Sequence, residues 1–281
     1  MVTTDRRKWL ALGLLSAVQF MVVLDIAIVN VALPSIKLDL GFSQENLQWV
    51  ISAYALVFGG FLLLGGRAAD LLGRKRIFLA GVVVFTVASF LAGMAWSEAS
   101  LIGARALQGL GAAIISPAAL SILSVTFREG RERNIALGVW GAVGGFGAAA
   151  GVLLGGVLTE ALSWSWIFFV NVPVGVAAFI LAPLLLSESR DASTKSFDVP
   201  GAVFVTAGLS TLVYAITQAG EHGWLAGRTI GFFAASLVLL VAFVPISIAA
   251  LAGVQAAEAG LASGLINTSQ QIGGAIGTAV A

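Results

Sequence analysis

Apolar runs of 18 residues or more, separated by short polar or charged segments, recur along the whole chain. A run of that length crosses the ~30 Å hydrocarbon core of a bilayer as an α-helix rising ~1.5 Å per residue. Nine can be marked, at residues 10–33, 47–64, 77–96, 101–126, 135–158, 166–186, 199–219, 230–254 and 261–281. None shows the period-two alternation of a strand. Backbone polar groups in lipid must be satisfied within each segment, so the expected fold class is an all-α integral membrane bundle.

Composition agrees and removes several functions. Hydrophobic residues make up 59% and charged residues 10% of the chain, against about 25% charge in soluble domains. The net charge is +1 and the basic residues are scattered among loops, which argues against a nucleic-acid partner. Without cysteine there is no disulfide, thiol nucleophile or thiolate metal site. The one histidine, His222, falls between spans beside Gly220, Glu221 and Gly223 and reads as a solvated loop residue, so neither metal nor cofactor is expected. No nucleophile arrangement or paired catalytic carboxylates point to an enzyme. The absence of G-x-x-x-x-G-K-[ST] leaves an ion gradient, or the substrate's own, as the energy source for any transport.

The first span is too long for a ~7–15-residue signal core and is expected to be retained. Alternate loops hold twelve and two of the fifteen Lys and Arg residues, and the fifteenth, Arg105, is inside a span. By the positive-inside rule the amino terminus and the loop at residues 65–76 are expected on the cytoplasmic side of the cell membrane.

Only two formal charges fall inside the spans, Asp25 and Arg105. Each costs about 2.5–3.5 kcal/mol at a helix centre on insertion scales and is therefore a functional candidate. Asp25 lies roughly 12 Å, and Arg105 roughly 6 Å, from the outer ends of their spans. That difference of about one helical turn is within reach of an arginine side chain. Protonating the aspartate would release the arginine, as a proton-coupled carrier requires. The alternative is a static ion pair that only joins two helices.

Between the second and third spans, residues 65–76 read GGRAADLLGRKR, expected as a loop in which Asp70 and Arg74 can pair at i,i+4. The positive-inside rule accounts for Arg74, Lys75 and Arg76, but not for Gly66, Asp70 and Gly73. This spacing resembles the G-x-L-A-D-x-x-G-R-K/R signature of the major facilitator superfamily of secondary transporters, with Ala68 at the Leu position. The resemblance implies a gating lock between two halves on the cytoplasmic side, formed by Gly66, Asp70, Gly73, Arg74 and Lys75. Its partner is expected near residues 258–262.

Further stretches extend the likeness to the fourteen-span drug:proton antiporters. LIGARALQGLGAA, residues 101–113, resembles the fourth-helix motif, which implies a proton-transfer role for Arg105 with Gln108 nearby. LDIAIVNVALP, residues 24–34, resembles the first-span motif around Asp25 and Asn30, with Ala27 replacing Thr. Gly147, Gly151, Gly155 and Gly156 resemble the antiporter motif G-x-x-x-G-P-x-x-G-G, with Val152 at the proline position. Close helix packing is the plainer reading of the same glycines. SWSWIFFVNVPVG, residues 163–175, resembles the entry to the sixth span, and Trp164 and Trp166 also suit an interfacial belt.

A faint internal repeat lays residues 132–151 on 258–277, as expected for the parallel halves of this fold. The resemblance thus implies a major facilitator helical bundle with the first six-span half at 1–190, additional central spans at 191–244 and a partial second half at 245–281. It also implies internal deletion and carboxy-terminal truncation, with two spans joined near Val244 and Pro245. The implied activity is export of small lipophilic or cationic compounds driven by protons, with the oligomeric state open. A transport-inactive remnant, or a non-transporting membrane partner, is the rival.

Overall fold

The computed structural model describes residues 2–190 and 199–251. Their regular structure is entirely helical: α1 (Val2–Leu40), α2 (Gln44–Leu47), α3 (Trp49–Leu72), α4 (Arg74–Gly93), α5 (Glu98–Thr126), α6 (Arg131–Ala161), α7 (Trp166–Phe169), α8 (Asn171–Leu185), α9 (Val199–His222) and α10 (Gly227–Leu251). Among the described residues seven stretches are long and apolar enough to span a bilayer. The all-α membrane bundle expected from the sequence is observed.

The helices overrun their apolar windows. Polar residues at the ends lower hydropathy without lowering the capacity for i→i−4 bonding, so α1 continues past Pro34 and Lys37 to Leu40. His222 belongs to the last turn of α9 and not to a loop. The sixth apolar stretch is broken into α7 and α8, with Val170 between them. The backbone of α10 runs unbroken through Val244 and Pro245, so the expected join is not visible as a break. The ninth stretch and the second copy of the repeat lie outside the described residues.

The clearest correction concerns residues 65–76, which are not a loop. α3 continues to Leu72, α4 begins at Arg74, and Gly73 alone separates them. Gly73 holds φ 114° and ψ 122°, a conformation open to a residue without Cβ. Its N–H still donates to the Ala69 carbonyl at 3.2 Å, so α3 is closed at the residue where the chain turns.

α5 is the central element, buried along most of its length between α3 and α4. Glycines set these approaches. A Cβ at Gly65 of α3 would overlap the Ala113 carbonyl of α5, and one at Gly109 of α5 would overlap the Tyr54 carbonyl of α3. At Gly111 it would lie 2.6 Å from the backbone nitrogen of Phe85 on α4. On the other side α6 packs along α1 through Gly147, Gly151 and Gly155, which recur every four residues and are buried. A Cβ on Gly151 would come within 2.6 Å of the Ala27 Cβ, and one on Gly155 within 3.0 Å of the Ile28 carbonyl oxygen. Gly156 faces open space. Three of the four motif glycines thus serve close packing, and Ala27 sits in that seam.

Candidate functional site: a buried polar network across the helices

Asp25, at the middle of α1, is completely buried, and Arg105 of α5 is 1% exposed. The long arginine side chain crosses the offset anticipated from their positions in the spans. Its Nη1 donates to Asp25 Oδ2 at 2.6 Å and to Gln108 Oε1 at 2.9 Å. Its Nε donates to the Val50 carbonyl of α3 at 3.0 Å. The guanidinium lies 4.3 Å from the centre of the Tyr54 ring and 5.8 Å from that of Phe168. Cation–π attraction is strongest where water is excluded, so both rings help to hold the charge.

The other carboxylate oxygen, Asp25 Oδ1, accepts from Gln108 Nε2 at 3.0 Å and from Asn171 Nδ2 of α8 at 2.8 Å. Gln108 Nε2 also donates to Ser89 Oγ of α4 at 2.8 Å. One carboxylate therefore accepts three hydrogen bonds, one of them from a cation, which offsets much of the cost of burying it. Side chains from α1, α3, α4, α5, α7 and α8 meet at this point.

The pairing of Asp25 with Arg105 and the placement of Gln108 agree with the sequence reading. Asn30 does not join them: it is exposed, and its amide donates to the Ile26 carbonyl of its own helix at 3.0 Å. A step of five residues turns it about 500° around a helix and off the Asp25 face. Sequence reasoning assigned no role to Asn171, Ser89 or Tyr54. A single asparagine in an apolar run, VNVP, was the available signal for the first; serine and tyrosine in such runs are too common to stand out.

A second polar cluster lies at the end of the bundle where α3 meets α4. Arg74 Nε and Nη2 reach Asp70 Oδ1 at 3.0 and 2.9 Å, both side chains being buried, so the local pair expected from the spacing is present. Ser121 Oγ of α5 donates to the same oxygen at 3.2 Å. Glu188, after α8, accepts from the backbone nitrogens of Lys75 and Arg76 at 3.1 and 3.2 Å, and the Arg74 N–H donates to the Ser189 carbonyl at 3.0 Å. A carboxylate here satisfies the free N–H groups at the start of α4 and opposes the positive end of its dipole. Gly66 is buried on α3 beside this cluster. The partner expected at residues 258–262 lies outside the described residues.

Gly73 permits this arrangement. A Cβ there would lie 2.9 Å from the Glu188 carboxylate, on a backbone that side chains rarely adopt. Gly73→Ala is expected to cost roughly 1–3 kcal/mol, read as a lower unfolding temperature in detergent micelles; an unchanged temperature would remove the steric argument.

Trp164 is not an interfacial anchor. It is buried, its indole N–H donates to Asp39 at the end of α1 at 2.7 Å, and its ring packs edge-on to Phe168. Trp166, by contrast, is exposed. Trp164 thereby ties the α7 region to the end of α1.

Comparison with known proteins matches this architecture. The family model for the Major Facilitator Superfamily matches residues 15–205, from α1 into α9. The chain is 46% identical over 239 residues to a puromycin resistance protein of Streptomyces alboniger, covering 85% of this chain and 47% of that one. It is 46% identical over 236 residues to a cephamycin export protein of Amycolatopsis lactamdurans, covering 83% and 49%. A tetracenomycin C resistance and export protein of Streptomyces glaucescens is 38% identical over 238 residues, with 84% and 44% covered. The chain thus spans about half the length of the curated relatives it matches. A solved peptide transporter in complex with alafosfalin shares the fold, with a TM-score of 0.55 at 16% identity over 62% of this chain and 37% of that one. With the helical bundle, the α3–α4 signature and more than half of the chain matched, this protein belongs to the major facilitator superfamily.

Proposed function

We propose that the chain acts in a secondary transporter that exports small lipophilic or cationic natural products, antibiotics among them, across the cell membrane in exchange for protons. The observation that carries the reading is the Asp25–Arg105 pair, sealed from solvent at the meeting point of six helices. Relatives named for resistance to, or export of, puromycin, cephamycin and tetracenomycin C supply the substrate class. In this reading residues 1–190 form the six-span half, 191–244 the additional spans and 245–281 part of a second half. The amino terminus and the α3–α4 junction face the cytoplasm, where Gly66, Asp70, Gly73, Arg74 and Lys75 act as the gate.

The geometry offers a mechanism. A proton arriving from the outer side neutralises Asp25, and the link from α1 to Arg105 weakens while Gln108 and the Val50 carbonyl keep hold of the guanidinium. α1 is then free to move against α5. Loss of the proton to the cytoplasm restores the ion pair. Substrate would occupy the space between the halves near the midplane, as in related folds.

The test is drug accumulation in a pump-deficient host expressing the chain, beside Asp25→Asn and an uncoupler. We expect lower accumulation with the parent chain, and a return to the host level with either Asp25→Asn or the uncoupler. Export that ignores both would end the proton-coupling claim. Ligand binding without flux in liposomes would instead assign the chain as a non-transporting partner, and neither binding nor flux would assign it as a transport-inactive remnant.

A further inference from the structure

Three side chains hold the Asp25 carboxylate, and they differ in what they can do when it takes up a proton. Arg105 is fixed by its bonds to Asp25, Gln108 and the Val50 carbonyl, and by the Tyr54 ring against its face. Gln108 is fixed as well. Its amide gives both hydrogens, to Asp25 and Ser89, and its oxygen accepts from Arg105, so turning it over would break three bonds. Asn171 is different. Its Nδ2 gives one hydrogen to Asp25 Oδ1, while its own Oδ1, fully buried, accepts none.

An amide with one bond and an unpaired carbonyl can rotate by about 180° about its terminal torsion, which is broad and two-fold. Before rotation it offers N–H to a carboxylate; afterwards it offers C=O to a carboxylic acid. We propose that Asn171 is the positioning residue that reads the protonation state of Asp25, donating to the carboxylate and turning over to accept the proton once Asp25 is neutral. The proton comes from bulk water, stays on Asp25 Oδ1 and passes to no other group. This rests on the proton-exchange reading above.

Asn171 is well placed to pass the signal on. It is the first residue of α8, directly after the break at Val170, and Phe168 on the other side of that break lies against Arg105. One short interrupted segment thus touches both members of the ion pair. Among the described residues, the other charged or titratable groups facing Asp25 are Arg105 from α5 and Tyr54 from α3. α4, α7 and α8 contribute Ser89, Phe168 and Asn171, none of which titrates.

The experiment is an infrared pH titration of the full chain in lipid nanodiscs. Asp25→Asn identifies the carboxylic-acid band of Asp25, and Asn171→Leu identifies the side-chain amide band of Asn171. We expect the Asn171 carbonyl band to move to lower frequency in step with the appearance of the Asp25 acid band. A residue that serves both protonation states changes the midpoint little when removed, so Asn171→Leu is expected to leave it within about half a pH unit. Loss of a fixed donor to a carboxylate would instead raise the midpoint by about one to two units. Asn171→Ser guards against misfolding of the leucine variant. Its hydroxyl can both donate and accept, so it should keep the midpoint while losing the amide band.

A rise of a unit or more with Asn171→Leu, or an amide band that stays still as Asp25 titrates, overturns the inference and leaves the proton site standing. If the parent chain shows no acid band that Asp25→Asn abolishes, both the proton site and the role of Asn171 fall together.

Discussion

Asp25→Leu is expected to destabilise the bundle more than Arg105→Met does, although each removes one end of the same ion pair. Breaking a buried pair by deleting one partner costs about 3–5 kcal/mol, because the remaining charge is uncompensated. The two survivors are not equivalent. With Arg105 gone, Asp25 still accepts from Gln108 and Asn171 and can shed its charge by taking a proton. With Asp25 replaced by leucine, Arg105 keeps the Gln108 and Val50 oxygens but cannot become neutral at any accessible pH. Asp25→Leu should therefore lie at the upper end of that range and Arg105→Met at or below the lower end. The double variant should be more stable than Asp25→Leu alone. Thermal unfolding of the three proteins in detergent micelles reads this order directly, and equal losses for the two single variants would contradict the asymmetry.

A comparable loss is expected at the α3–α5 contact. Gly65 and Gly109 each bring the backbone of one helix against a carbonyl of the other, so an added side chain meets main-chain atoms that cannot swing aside. Overpacking of this kind costs typically about 1–3 kcal/mol for small increments, and more where nothing can give. Gly109→Leu should prevent assembly of the bundle, whereas Gly103→Leu, six residues earlier on the same helix, should be tolerated because its surroundings are open. The readout is the fraction of protein recovered as a single species by gel filtration in mild detergent. The substitution also displaces Tyr54, whose ring covers the Arg105 guanidinium, so local repacking would not spare the charged site.

The features legible in the sequence share one property: their cost in lipid. A carboxylate and a guanidinium in apolar spans are so unfavourable singly that Asp25 and Arg105 imply each other before any coordinates are known. Gln108 was accessible through the fourth-helix motif that residues 101–113 resemble. Asn171 was not, because its partner lies 146 positions away and an amide costs far less to bury than a charge. The α3–α4 junction was misread for a different reason. Hydropathy marks where a helix leaves the hydrocarbon core and not where it ends, so Arg67, Asp70 and the basic run were placed in a loop although their backbone is helical. Asn30, which shares the first-span motif with Asp25, lies outside the buried network because helical rotation takes it off the Asp25 face.

Glu188 has one more implication. It follows α8, and it grips the first turn of α4 with both carboxylate oxygens. The peptide that leaves α8 is therefore fastened, at Glu188 and Ser189, to the residues that follow Gly73 rather than trailing from the end of α8. A pull on the peptide after Ser189 would therefore reach the first turn of α4, directly beside the Gly73 turn. The leash and the α3–α4 turn are mechanically one part.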